Sequence, residues 1–306
     1  RGRRLDRATG SLHTFAMVGA GSEGRVLPLM RVLLVAGTIL VFAAGTQLYV
    51  LSAYTGRYFA WTIANPLTAA TIGAFYYAAV VFAGLSARDS RWDLARVGVP
   101  GILVFLWLTI AASLAHLAVF HLHAPGLAPR TAAVAWLVIY IGDPPLLLLA
   151  YLLQLRAGGP DAARLAPAPA WHRRACAVLA VPVLAAGVGL YALPRPGSPH
   201  WAWPLPPIAA QALAAWLIAL ALLLACVAKE ADLLRSRPAS AGLAVLAVLQ
   251  LAALARYPHS AHGPVAITWI VLLAVIGVLG GYGLARLPAA RRGSSGHHPA
   301  RPQAAP

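Results

Sequence analysis

The sequence predicts an all-α, polytopic integral membrane protein: eight transmembrane helices in two tandem four-helix repeats of parallel orientation, with both termini cytoplasmic. Three observations predict it. The first is composition: 60% of the 306 residues are hydrophobic and only 10% charged, with a mean hydropathy of +0.73, which is too little charge to cover a soluble surface of this size. The second is length. Eight apolar stretches each approach the ~20 residues needed to cross a ~30 Å hydrocarbon core; they lie at 32–53, 66–86, 98–120, 132–155, 175–193, 206–228, 239–256 and 265–285. The third is repetition, because AAGTQLY at 43–49 returns as AAGVGLY at 185–191, 142 positions later.

The same offset carries Ala60-Trp61 onto Ala202-Trp203. After one deleted residue, an offset of 141 carries Pro66, Arg96, Gly101 and Ala111-Ala112 onto Pro207, Arg237, Gly242 and Ala252-Ala253. Matches of Trp, Pro and Gly at constant spacing are hard to obtain from an Ala/Leu background, so the chain reads as a duplication with four spans in each half. The segments are then a basic N-terminal arm (1–29), a first repeat (30–156), a linker (157–171), a second repeat (172–287) and a tail (288–306). Arm and tail are rich in Gly, Ser, Arg or Pro and are expected to be disordered.

Charge gives the orientation. Of the 24 Lys and Arg residues, 20 fall before span one, after span eight or in the connections 2–3, 4–5 and 6–7, while Arg57, Arg130, Arg195 and Arg256 stand singly in the other four. Positive residues accumulate on the cytoplasmic side, so both termini are expected there, in a bacterial cytoplasmic membrane; one Lys against 23 Arg points to a high-GC genome. The net charge of +16 is dispersed over all the inner loops. It follows topology and anionic lipid, not nucleic acid. The expected partners are the bilayer and a small-molecule ligand; partner subunits cannot be read.

The motifs narrow the chemistry without naming it. Cys176 and Cys226 lack metal-site spacing and read as small buried apolar groups. No Ser/His/Asp order, HExxH or paired-Asp motif occurs, which weighs against an enzyme. Six of the ten histidines fall on the outer face, where no Asp or Glu accompanies them: His116, His121, His123, His200, His259 and His262. FHLHAPG at 120–126 and PHSAHGP at 258–264 occupy equivalent connections, so His121, His123, His259 and His262 are the residues that could hold copper or haem iron. Interfacial histidines in wet loops are the plainer account, and no cofactor is predicted. In plan alone the eight spans with outer histidines are similar to haem A synthases and copper-resistance D-type membrane proteins, although neither family's residue pattern can be traced. The tail pair His297-His298 reads as solvated.

RYFAWTIANP at 57–66 and PHWAWPLPP at 199–207 both enter a span through aromatic-Ala-Trp followed by Pro. An aromatic belt with a helix start accounts for both. The alternative is a paired lid, with Tyr58, Trp61, His200 and Trp203 around a cleft in the outer half. Within the bilayer the main polar residues are Thr46, Gln47, Thr109, Gln211, Gln250 and Asp143. An ionised carboxylate at mid-span costs ~2.5–3.5 kcal/mol on insertion scales. Asp143, followed by Pro144 and Pro145, is therefore expected to face the bundle interior, as a polar clamp or as a proton or ligand site. Together these readings point to small-molecule binding or transport, with Tyr58, Trp61, His116, Asp143, His200, Trp203 and His259 as candidate ligand contacts. A His-dependent haem or metal redox protein and a non-catalytic subunit of a membrane complex are the alternatives.

Overall fold

The computed structural model describes residues 24–159, 163–197 and 200–287; most of the basic arm, the tail with His297-His298 and part of the linker lie outside them. Among the described residues the protein is all helical, with three isolated β-bridges. The long helices are α1 (Pro28–Gly45), α2 (Pro66–Arg88), α3 (Val99–Ala115), α4 (Leu127–Arg156), α5 (Ala170–Ala192), α6 (Pro207–Glu230), α7 (Arg237–Arg256) and α8 (Gly263–Ala285). All but α3 are long and apolar enough to cross a membrane. The chain is a multi-pass membrane protein.

Local chemistry sets the helix starts. Proline occupies the first turn of α1, α2, α3, α6, α7 and α8, where its missing N–H is one that no helix could pair. Asn65 caps α2 by accepting the Leu67 N–H at 2.9 Å, as short polar side chains do at this position. The expected third span, 98–120, is cut short: α3 stops at Ala115 because His116 leaves the helical region at φ −124°, ψ 29°, and the chain continues through two short 3-10 turns. At 1.5 Å per residue its 17 residues reach about 25 Å. By contrast α4 runs unbroken for 30 residues through Pro144 and Pro145. These prolines withhold two i→i−4 donors that the Tyr140 and Ile141 carbonyls would otherwise receive.

The most enclosed spans are α2 and α6. Helix α2 packs on α1 and α7, helix α6 on α5 and α3, and α4 and α8 close the outside against α3 and α7. Several contacts between residues 24–159 and the remainder come in reciprocal pairs. Arg96 meets Glu230 at 2.8 Å and Arg237 meets Asp89 at 3.3 Å. The Tyr191 hydroxyl donates to the Leu108 carbonyl at 2.7 Å, and that of Tyr49 to Leu249 at 2.9 Å. Gly101 lies against the Ala219 carbonyl and Gly242 against that of Ala78; a Cβ at either would press on backbone, so these close approaches require glycine. Between them Phe75 and Trp216 stack with centroids 5.5 Å apart. In every case the partners exchange under a shift of 141 or 142 positions.

The loops obey the same shift. Val26 N–H donates to Ser90 O at 2.9 Å and Trp92 N–H to Gly24 O at 2.8 Å; Ala168 donates to Ala231 at 2.9 Å and Leu233 to Ala166 at 2.7 Å. At the opposite end His121 N–H donates to Ala60 O at 2.9 Å and His262 N–H to Ala202 O at 3.0 Å. One end of the bundle therefore carries the arginine-rich loops and an ion-pair network, and the other the aromatic-Ala-Trp segments.

Candidate functional site

A cavity of about 110 Å³ lies inside the first four helices. Leu33, Gly37, Leu40 and Ala44 of α1 line it, with Tyr76 and Ala79 of α2, Ile102 and Phe105 of α3, Trp136, Tyr140, Asp143 and Leu147 of α4, and Trp216 reaching in from α6. The lining is apolar apart from three side chains at mid-helix. Tyr76 and Tyr140 are buried and share a 2.6 Å hydroxyl–hydroxyl hydrogen bond, which leaves one of the two O–H groups free to donate elsewhere. Asp143 is half-buried one turn further along α4 and makes no hydrogen bond or ion pair with any described residue. No Arg, Lys or His lines this cavity.

Both ends are closed. Toward the aromatic end Trp61 packs on Phe59, Phe120 and Trp136 at centroid distances of 4.6, 5.3 and 5.0 Å, and the Trp136 indole donates to Ser113 Oγ at 3.0 Å. Toward the arginine end the Gln154 amide accepts from Leu27 N–H and donates to Arg25 O, both at 2.8 Å. The side is open. Between α1 and α4 the lining residues Leu40, Gly37 and Asp143 are themselves exposed or half-buried, and a Cβ added to Gly37 would meet nothing within 4 Å.

The matching place in the last four helices is filled. Helices α4 and α8 share one burial pattern at a spacing of 133, which sets Ala133, Trp136, Tyr140, Leu147 and Ala150 beside Ala266, Trp269, Leu273, Gly280 and Gly283. Asp143 then corresponds to Ile276, Tyr140 to Leu273, Tyr76 to Leu217 and Gly37 to Leu179. Leu217, Leu273 and Ile276 are fully buried, and Leu179 packs on the core. Gly280 and Gly283 bring α8 so close to α7 that a Cβ on either would overlap Ser240. Small residues draw these helices together, whereas α4 carries Leu147 where α8 has Gly280 and Ala150 where it has Gly283.

The expected site residues separate into groups. Asp143 lines the cavity and Trp61 plugs its aromatic end. Trp203 packs on Trp201, which packs on Trp269, in the second bundle. Trp61 and Trp203 are 3% and 2% exposed, so each ring is enclosed among its own four helices and the two share no ring contact. Tyr58, His200 and His259 are exposed. His116 is tied to Gln211 Oε1 at 2.9 Å, and Gln211 in turn donates to Tyr191 O. Of the candidate metal ligands, His121 has both ring nitrogens engaged, with Thr62 Oγ1 at 3.0 Å and Phe59 O at 2.9 Å; His123, His259 and His262 are exposed. Among the described residues no three His, Cys, Asp or Glu side chains gather as a metal site. Both cysteines are free.

Gly37, Tyr76, Tyr140, Trp136 and Trp216 were not anticipated. Tyr76 and Gly37 had a signal in the sequence, since they stand against Leu217 and Leu179 at 141 and 142 positions; Tyr140 meets Leu273 only at the burial spacing of 133, and Trp136 and Trp216 stand against the aromatic residues Trp269 and Phe75. No protein-family model, curated protein or solved structure matches this chain.

Proposed function

We propose that this is an eight-span protein of the bacterial cytoplasmic membrane, built by duplication of a four-helix unit, whose first unit binds a small molecule at mid-membrane. The duplication is supported by the reciprocal contacts, since two copies related by a half-turn about the membrane normal meet through one self-complementary surface, as in an isologous dimer. An even number of spans in each unit keeps both copies in the same orientation. The charge asymmetry supports cytoplasmic termini.

One observation carries the binding reading. At the level where the second unit is packed solid with Leu217, Leu273 and Ile276, the first holds a cavity with Tyr76, Tyr140 and Asp143. A carboxyl group in hydrocarbon is costly and marks function by default, and an apolar pocket with a few convergent polar groups is the usual form of a small-molecule site. Binding is the first requirement of transport as well, and placement at mid-membrane suits either role.

The test is to convert the first unit to the second. The triple variant Tyr76→Leu/Tyr140→Leu/Asp143→Ile and the wild type would be extracted in native lipid discs, checked for equal unfolding temperature, and assayed by mass spectrometry for retained small molecules. A compound stoichiometric with wild type and absent from the variant is expected. Identical retained compounds in both, or none in either, would overturn the reading.

A further inference from the structure

We propose that the ligand of this cavity is an apolar amine, a protonated nitrogen on a hydrophobic body, and that it enters sideways from the bilayer between α1 and α4. The proposal rests on the binding reading above and adds the ligand class and the route. Asp143 supplies a carboxyl without a cationic partner among the described residues, in a cavity that no Arg, Lys or His lines. Trp136, Trp216 and Phe105 present aromatic surface around the same space, and Phe105 stacks on Trp216 at 3.9 Å. A lone carboxylate beside aromatic faces is the combination that recognises an organic cation, because ring quadrupoles and fixed negative charge both favour it in a desolvated site. An anion would meet the Asp143 carboxyl, with no cationic side chain in the lining to offset it.

The route follows from what is closed and what is open. The Trp61 cluster blocks the aromatic end and the Gln154 hydrogen bonds tie down the arginine end, while Gly37 leaves a gap beside Asp143. In the second unit Leu179 stands where Gly37 does. The cavity is of the order of one that holds a single benzene ring, so a long-chain amine fits with its head and first carbons inside and its tail left in lipid.

Decylamine and decanol would be titrated into protein in phosphatidylcholine nanodiscs, with tryptophan fluorescence reporting occupancy through Trp136 and Trp216. Saturable decylamine binding at least tenfold tighter than decanol is expected. Asp143→Asn should remove that preference while leaving decanol binding unchanged. Gly37→Leu, whose side chain enters open space, should slow decylamine association at least tenfold without lowering the unfolding temperature. Equal binding of amine and alcohol, both insensitive to Asp143→Asn, would overturn the amine class and leave the binding reading standing. Association unaffected by Gly37→Leu would overturn the lateral route. Saturable binding of neither probe would overturn the proposal, and the retained-compound assay would then decide separately whether the cavity binds anything.

Discussion

A glycine-to-alanine series measures how closely the helices approach. A Cβ built on Gly73 would lie 2.5 Å from the Tyr49 amide nitrogen and 2.8 Å from the Leu48 carbonyl carbon, both within or beside the wide turn Thr46–Val50 that continues α1. On Gly101 it would lie 2.9 Å from the Ala219 oxygen, on Gly242 3.3 Å from the Ala78 oxygen, and on Gly37 nothing stands within 4 Å. Alanine favours a helix over glycine by about 1 kcal/mol at every one of these positions. Overpacking a closed interface costs about 1–3 kcal/mol, and the cost falls on backbone at Gly73 and Gly101, where no side chain can rotate away. Combining the two terms, Gly37→Ala should be neutral or stabilising by up to about 1 kcal/mol, and Gly242→Ala should stay near zero. Gly101→Ala should be destabilised by about 1 kcal/mol and Gly73→Ala by about 2. Unfolding temperatures in lipid nanodiscs supply the ranking. Gly73→Ala as stable as Gly37→Ala, or Gly242→Ala costlier than Gly101→Ala, would refute the packing described for α1, α2 and the two central helices.

Three other outcomes are expected. Arg235, 5% exposed, bridges Glu230 at 2.8 Å and Asp93 at 3.5 Å; removing one partner of a buried pair costs about 3–5 kcal/mol against ~0–1 for exposed pairs. Arg235→Ala should therefore lower the unfolding temperature far more than Arg237→Ala, whose pair is more exposed, and equal losses would contradict the network. Burial raises the Asp232 carboxyl, but the N–H groups of Ala166, Arg235, Leu165 and Leu234 together outweigh it and hold its pKa below the usual value. A lowered pKa gives stability that is present above the unfolded value of ~3.9 and lost as pH falls through the folded one. Asp232→Asn should thus flatten the acid limb of a stability-against-pH curve, and an unchanged limb would remove Asp232 from it. Finally, with Cys226 replaced by Ala, a cysteine at His200 should react with impermeant reagents in intact cells and one at Ser90 only after lysis; the reverse would invert the orientation.

The sequence by itself determined the apolar solvent and the seven helices long enough to cross it, because hydropathy is a local sum over about twenty residues and needs no knowledge of neighbours. It also held the constant spacing of 142 and 141 positions that Trp61/Trp203 and Gly101/Gly242 carry in one dimension. Asp143 stood out for the same local reason, as the one carboxylate within an apolar run. The short α3 was not legible, since residues 116–120 are apolar enough to continue the span and only the backbone turn at His116 ends it. The tertiary structure decided which polar groups meet: Tyr76 and Tyr140 lie 64 residues apart and become a pair only when α2 and α4 face one bundle interior. It decided also that Trp61 and Trp203 plug separate bundles. A cavity is a mismatch between side-chain volumes and the distance between helices, and a distance such as that between α7 and α8, which Gly280 and Gly283 make short, depends on both helices at once. No single segment contains that information, which is why the first four helices hold a cavity at a level where Leu217, Leu273 and Ile276 are buried in the last four.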